Sequence, residues 1–335
     1  MKNLVVAGLS LALLLVPSTQ VAAARASSPC AGRPWPCLAY HWPIKPFNQQ
    51  HPIRGGFGDP RTSNLDRPFG WTGPKQLGAH SFHNGVDIVA DDGTPVYPVV
   101  SGRVERAKPD QIVVHTSDGR AFQYYHLTKA TAVQRGRRVV AYRTVLGRIR
   151  PGYGHVHLAE IDGHLIHNPL DPGHLAPYRD WRRPSATELY ADDGPVPSPL
   201  DGRAVTSREQ LAVTAIDPPA MSAPAPSKWF GLPQAPALVE WRLFHKASRT
   251  PGTVATDFRR TQPPPRDFWH VYGPGTYQNC PAFANHRYLG TEGRYLFRLH
   301  LHLNRLHPGL YRLAVRVADV RGNRSTASWP LRLTR

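Results

Sequence analysis

Short alternating stretches of hydrophobic and polar residues, separated by turn signals such as DDG and SDGR, run from residue 54 to residue 171. Alternation with a period of two is typical of β-strands that bury one face. The pattern predicts a compact β unit formed by the runs VDIVA, DDGTPVYPVV, SGRVERA, QIVVHT, AFQYYHL and VHLAEI.

The second half of the chain repeats this period in the runs QLAVTAID, ALVEWRLF, RYLFRLHLHL, GLYRLAVRVAD and SWPLRL. Five alternating stretches in a region of this size favour an immunoglobulin-like β-sandwich over residues 199–335. A turn at Gly322 and Asn323 predicts that the last two strands form a hairpin.

Between and before these regions the alternation is lost. Residues 25–50 are rich in Pro, Trp and Cys and are interpreted as an irregular N-terminal arm, and residues 176–198 as a linker. The 35 prolines and 28 glycines also favour turns and strands. We therefore expect an all-β protein with one domain over residues 51–175 and a second over 199–335.

The N-terminus has the three parts of an export signal: Lys2, the apolar run Leu4–Val16 ended by Pro17, and small residues at 22–24. The run is shorter than the roughly 20 residues that cross a bilayer, although an uncleaved anchor is the alternative. We expect residues 1–24 to be removed, leaving a mature chain with no transmembrane span in the periplasm, cell envelope or extracellular space.

The 335 residues carry a formal net charge of +18. A basic exported protein meets anionic cell-wall polymers and lipid headgroups, and no nucleic-acid-binding module is recognisable, so a nucleic-acid partner is not expected. Positive charge also keeps a protein soluble, so charge alone does not choose the partner. The sequence does not indicate an oligomeric state.

Cysteine occurs at positions 30, 37 and 280. Export permits a disulfide, and Cys30 with Cys37 is the natural pair, although Cys280 could join either one. No CxxC spacing is present, which argues against a thiolate zinc site.

The segment FHNGVDI places His83 four residues before Asp87, and both side chains are good zinc ligands. On a straight strand their Cα atoms would lie about 13 Å apart, too far to share one ion. The backbone must therefore bend between them, and Gly85 is where it can.

Two further segments carry histidines. His155 and His157 are two residues apart in GHVHLAEI, and residues i and i+2 share one face of a strand. His126 stands near the end of another predicted strand, in QYYHL.

Residues 54–171 contain three motifs in a fixed order: HxxxD, a tyrosine-rich segment ending in HL, and HxH. With these motifs, this region resembles the lysostaphin-like and LytM-like zinc endopeptidases of peptidoglycan. The resemblance implies an antiparallel duplicated-hybrid-motif peptidase domain with one Zn²⁺ per chain. It also implies that His83, Asp87 and His157 are the zinc ligands, that His126 and His155 are the catalytic histidines, and that the partner is peptidoglycan or another cell-wall polymer.

Such a site is chemically reasonable. Two imidazoles and one carboxylate leave a fourth position open for water, as a catalytic zinc requires. No HExxH glutamate is present, so the base must come from elsewhere, and a histidine with its ordinary pKa of about 6.5 is well matched to the task. The sequence does not tell whether His126 or His155 takes the proton.

Other interpretations of these residues are weaker. A metal-binding HxxE pair of His157 and Glu160 is discounted because the two would face opposite sides of a strand. A second HxH, at His300 and His302, has no HxxxD partner, and the histidines at 164, 167 and 174 are expected in surface loops. The functional alternatives are a non-catalytic cell-envelope binding protein or activator of other hydrolases, and a zinc peptidase acting on secreted proteins.

Overall fold

The computed structural model describes residues 39–62, 80–108, 110–130, 133–192, 198–222, 233–274, 276 and 295–335. The proposed signal peptide and all three cysteines lie outside these residues. The described chain is almost entirely strand and loop, which confirms the all-β prediction. No helix in these ranges is long and apolar enough to span a membrane.

The first half forms short strands that pair antiparallel. A large sheet has the order β1-β4-β12-β8-β7-β6-β10, with β13 also on β12, while β5-β11-β9 and β2-β3 form smaller sheets. The strands are β1 (Ile53–Gly55), β2 (Pro60–Thr62), β3 (His80–Phe82), β4 (Val86–Val89), β5 (Pro95–Val96), β6 (Gly102–Ala107), β7 (Gln111–His115), β8 (Arg120–Tyr125), β9 (Leu127–Lys129), β10 (Arg138–Val139), β11 (Gly147–Ile149), β12 (His155–Asp162) and β13 (Leu165–His167).

The second half contains two sheets, β15-β14-β17-β21 and β16-β23-β22-β18-β19, with β20 also on β18. Side chains from both sheets share one hydrophobic core, as in a sandwich. Its immunoglobulin-like class remains a prediction. The elements are β14 (Ser185–Ala191), β15 (Ser198–Pro199), β16 (Val205–Thr206), β17 (Leu211–Ile216), β18 (Leu238–His245), β19 (Ser248–Arg249), β20 (Thr253–Asp257), α1 (Phe268–Val271), β21 (Leu296–Arg298), β22 (Gly309–Ala318) and β23 (Arg324–Thr334).

The flanking segments are more ordered than the sequence suggested. Strand β14 lies inside the predicted linker 176–198 and pairs with β17. Its burial does not alternate, since only its last three residues are buried. Within the predicted arm, residues 39–50 form no extended strand, but Tyr40, Trp42 and Ile44 are buried in the first core.

The two halves are joined closely. Phe57 and Phe82 of the first half belong to the core of the second, and the Phe82 ring lies 5.2 Å from that of Phe268. The Tyr272 hydroxyl donates to the Gly58 carbonyl at 2.7 Å. Because β3 ends at Phe82, the residue before His83, this contact anchors one edge of the candidate site.

A buried polar cluster lies on the side of β12 opposite His157. The carboxylate of Glu160 is fully buried, and it accepts hydrogen bonds from the Tyr40 hydroxyl at 2.8 Å and from Arg120 Nη1 at 3.2 Å. His174 Nδ1 lies 2.7 Å from Glu160 Oε2. The expectation that His167 and His174 lie in surface loops was therefore wrong, since both are buried; His164 is exposed as expected.

Replacing Glu160 with alanine is expected to lower the free energy of unfolding by about 3–5 kcal/mol, because the buried Arg120 loses one of its two carboxylate partners and keeps only Asp118. Tyr40 and His174 also lose their buried acceptor. Burial would raise the pKa of Glu160, but His174, Tyr40 and Arg120 hold it below its usual value. This contribution to stability is therefore present above the pKa of the unfolded chain and is lost as pH falls through the folded value. Urea unfolding at pH 7 and pH 4 measures both effects. The exposed Glu105→Ala is the control, and equal stability of the two variants at pH 7 would contradict the prediction.

Candidate active site

Neighbouring antiparallel strands bring Asp87 and His157 together. Asp87 on β4 is the direct cross-strand partner of His157 on β12, and His155 is the partner of Val89. Val156 and Leu158, the alternate residues of β12, point into the first core. The hydrophobic alternation of the strand thus directs His155 and His157 to the opposite face of the sheet.

His83 joins them from the loop that connects β3 and β4. Its Nε2 lies 2.8 Å from His157 Nδ1 and 3.1 Å from Asp87 Oδ1, and His157 Nδ1 also lies 3.1 Å from Asp87 Oδ1. All three side chains are buried. The described residues thus place two ring nitrogens and one carboxylate oxygen at the corners of a small triangle, a group that could hold a metal ion.

The chain bends at Gly85, where the sequence required it. A second constraint was not visible in the sequence. A Cβ atom at this position would lie 2.2 Å from the Leu158 carbonyl oxygen and 2.9 Å from His157 Cε1. Glycine is needed here because β12 passes too close for any side chain.

Backbone and arginine contacts orient the triangle. His83 Nδ1 donates to the Gly56 carbonyl at 2.7 Å, which leaves the Nε2 lone pair facing Asp87. Arg61 Nη2 donates to Asp87 Oδ2 at 2.7 Å, so that Oδ1 is the oxygen turned toward the histidines. Such outer contacts fix tautomers and carboxylate orientation around metal sites.

His126 and His155 form the neighbouring part of the site. Their ring centroids are 4.6 Å apart, and the His126 ring stacks on Tyr153 at 4.4 Å. His126 has a φ of 65°, a left-handed conformation that is rare outside glycine and is found more often at functional sites.

Hydrogen bonds fix the orientation of the His155 ring. Its Nδ1 donates to the Tyr153 carbonyl at 2.6 Å, and its Nε2 accepts from Arg54 Nη2 at 3.1 Å. The Nε2 atom lies 3.7 Å from Asp87 Oδ1. His155 therefore directs a neutral nitrogen toward the triangle.

The electrostatics favour neutral imidazoles and a charged carboxylate. Burial, with Arg61 adding to it, lowers the pKa of His83 to about 3, and burial lowers the pKa of His126 to about 4. Burial also lowers the pKa of His155 well below its usual value. For Asp87, burial acts the other way, but His83 and Arg61 hold the pKa of the carboxyl well below its usual range. Neutral histidine and ionised aspartate are the forms that bind metals.

All five residues singled out in the sequence lie in one place. Arg54 and Arg61 were not predicted, and they lie in β1 and β2, at the two ends of the segment RGGFGDPR. The available signal was an arginine at each end of a glycine-rich turn, which is too common to have been informative. The second HxH pair lies in the other half, where His300 stacks on His270 at 3.9 Å.

Replacing Arg61 with alanine is expected to weaken zinc binding by about 10- to 100-fold, because Asp87 loses the donor that orients its carboxylate. Competition with a zinc-selective chelator measures the dissociation constant. Arg266→Ala, which removes a highly exposed arginine far along the chain, is the control. Tighter zinc binding by Arg61→Ala would show instead that repulsion between the guanidinium and the metal dominates.

A family model described as peptidase family M23 matches residues 81–160, which include all five histidine and aspartate positions. This confirms the resemblance seen in the sequence. No curated protein matches the chain.

Several solved structures resemble part of the chain. The catalytic domain of lysostaphin from Staphylococcus simulans is 23% identical, with 34% of this chain and 86% of that chain covered and a TM-score of 0.25. A zinc-containing peptidase from Vibrio cholerae is 25% identical, with 37% and 36% covered and a TM-score of 0.26. A chain of the SpoIIQ–SpoIIIAH pore-forming complex is 20% identical, with 40% and 90% covered and a TM-score of 0.30.

Proposed function

We propose that this protein, whose residues 81–160 match the model of peptidase family M23, is an exported zinc metalloendopeptidase that hydrolyses peptide bonds of peptidoglycan. The observation that carries the proposal is the buried triangle of His83 Nε2, Asp87 Oδ1 and His157 Nδ1, with two more histidines beside it.

The donor set fits zinc. Zinc binds imidazole and carboxylate at about 2.0–2.2 Å, which in a tetrahedron separates two ligand atoms by about 3.3 Å. The observed separations of 2.8 and 3.1 Å require only a small expansion. Three protein ligands are the number that catalytic zinc sites use, since one position must stay open. Nδ1 is the nitrogen of His157 that faces the other two ligands, so His157 would bind through Nδ1.

When bound, zinc would supply a Lewis acid that polarises the scissile carbonyl and lowers the pKa of a water molecule. The protein's own groups would supply the rest. His155 Nε2 lies 3.7 Å from Asp87 Oδ1, and the His126 ring centroid lies 4.6 Å from that of His155. One imidazole could therefore accept the proton of the attacking water while the other supports the developing oxyanion.

The contacts of the two histidines suggest how these tasks are divided. Arg54 donates to His155 Nε2 and fixes that ring, whereas His126 is held by stacking on Tyr153. We assign the proton transfer to His126, because its ring nitrogens are free of hydrogen bonds among the described residues. His155 holds the Arg54 guanidinium beside the site through its Nε2, and that positive charge would stabilise the oxyanion.

Two sequence features support a cell-wall substrate. The formal charge of +18 favours anionic polymers, and the N-terminal pattern of an export signal would deliver the protein to the compartment that contains them. The resemblance to wall-lytic endopeptidases points in the same direction. Analysis of the products would identify whether the cleaved bond lies in a stem peptide or in a cross-bridge.

Digestion of purified peptidoglycan with the zinc-loaded protein tests the proposal. We expect soluble fragments with new amino termini, identified by mass spectrometry, and little cleavage of an unfolded protein such as casein. Cleavage of casein at similar rates would indicate a peptidase of secreted proteins. Binding to peptidoglycan without new amino termini, in protein of verified zinc content, would refute the enzymatic proposal in favour of a non-catalytic envelope protein.

A further inference from the structure

Three aspartates far apart in the sequence meet at the junction of the two halves. Asp180 precedes β14, Asp217 follows β17, and Asp319 follows β22. Their exposed fractions are 5%, 8% and 1%. One carboxylate oxygen from each lies within 4.8 Å of the others, so three buried acidic groups share one small volume.

One carboxylate oxygen of Asp217 is without a hydrogen-bond partner among the described residues. This atom, Oδ1, is buried. The backbone fixes its position, because Asp217 and Gln234 exchange two backbone hydrogen bonds of 2.8 Å each. A buried carboxylate oxygen without a partner is costly, so this atom has an unused acceptor site for a cation or a proton.

The other two aspartates are held in place by donors. Asp319 Oδ1 accepts from the backbone amides of Arg321 and Asn323, each at 2.8 Å, and Asp180 Oδ1 accepts from the amide of Arg182 at 2.8 Å. Each carboxylate oxygen has more than one lone pair, so these bonds leave capacity for a further ligand. The donors therefore pre-orient the carboxylates.

The nearest cations do not fill this role. The guanidinium of Arg321 lies over the Tyr178 ring, 5.0 Å from its centroid, and Arg182 Nη1 donates to the Pro219 carbonyl. Within the described ranges, no ion pair under 4 Å joins an arginine or lysine to any of the three carboxylates. Burial, with Asp319 and Asp180 adding to it, raises the pKa of Asp217 well above its usual value, so this volume favours a bound positive charge.

We propose that Asp180, Asp217 and Asp319 form a second metal site, which takes Ca²⁺. Carboxylate oxygens alone are a donor set for hard cations. Ca²⁺ binds oxygen at about 2.3–2.6 Å, so its ligand atoms lie up to about 5 Å apart, whereas Mg²⁺ at about 2.0–2.1 Å requires a tighter and more regular arrangement. The three carboxylate oxygens lie within 4.8 Å of one another, a spacing that a Ca²⁺ ion can bridge.

A Ca²⁺ ion here would join the two halves. Tyr178 and Val320 pack against the first core, and Asn323 Nδ2 donates to the Asp180 carbonyl at 2.9 Å. Asp217, in contrast, follows a strand of the sandwich. The ion would thus stabilise the junction without contacting the zinc ligands.

Calcium titration of metal-stripped protein reconstituted with one equivalent of zinc tests the site. We expect calorimetry to show one Ca²⁺ per chain and Ca²⁺ to raise the melting temperature, more than Mg²⁺ does at equal ionic strength. Asp217→Asn, which keeps the side-chain shape, should weaken Ca²⁺ binding at least tenfold and lose the thermal shift. The exposed Asp201→Asn should keep both.

Other outcomes overturn the proposal. The cluster would hold a proton instead if Ca²⁺ left the melting temperature of the wild type unchanged and that temperature rose as the pH was lowered toward 5. Asp217→Asn should then lose this rise in melting temperature. An unchanged Ca²⁺ shift in Asp217→Asn would place the ion elsewhere. His157→Ala separates this site from the proposed function, because it should keep the calcium response whether or not the wild type is a peptidase.

Discussion

Replacing His157 with alanine is expected to remove bound zinc and to lower kcat/KM for peptidoglycan hydrolysis on the order of 10³-fold or more. Two of the three contacts in the proposed ligand triangle involve His157 Nδ1, which lies 2.8 Å from His83 Nε2 and 3.1 Å from Asp87 Oδ1. A metal contributes several kcal/mol to stabilisation of the transition state, and each 1.36 kcal/mol is a factor of ten in rate. Elemental analysis and the rate of fragment release measure the two effects.

The second HxH motif provides a matched control. His302 is exposed and lies in the other half, so His302→Ala should keep one zinc per chain and full activity. Melting curves establish that both variants are folded. If His157→Ala retained zinc and hydrolysis, the assignment of the ligands would be wrong.

Local pattern was sufficient to predict the strands that carry the site. The period of two predicted that His155 and His157 share one face of a strand, and the alternate residues Val156 and Leu158 lie in the core. The same argument separated His157 from Glu160, which lies on the other side of β12 in a network of its own. The peptidase resemblance could be recognised because its residues fall within three short segments.

What the sequence could not predict depends on contacts between distant segments. Arg61 is 26 residues from Asp87, and only folding brings its guanidinium to the carboxylate. Gly85 was identified as a bend, but the close approach of the Leu158 carbonyl follows from the pairing of β4 with β12. His174 was assigned to the surface because nothing near it in sequence reveals its buried partner, Glu160.

Contacts between distant segments also explain why the sequence did not predict the strand in the linker or the aspartate cluster. Strand β14 runs into a proline-rich stretch and its burial does not alternate, so its pairing with β17 is what holds it as a strand. Asp180, Asp217 and Asp319 lie in three separate segments outside the named strands, where aspartate is common for local reasons. These aspartates become neighbours only when the sandwich packs against the first half. A site at this junction therefore cannot be found from sequence motifs.

Replacing His126 with alanine is expected to leave zinc bound but to lower kcat by about 10²- to 10⁴-fold, the usual contribution of a positioned proton-transfer group. His126 is outside the ligand triangle, and its ring lies 4.6 Å from that of His155 and stacks on Tyr153. Zinc content, kcat and KM measured on the same preparation separate the roles, because a loss confined to kcat indicates a group that acts in the transition state. Tyr153→Phe keeps the stacking ring and should retain most of the activity. Loss of zinc in His126→Ala would instead make His126 a ligand, and unchanged kcat would leave the proton transfer to His155.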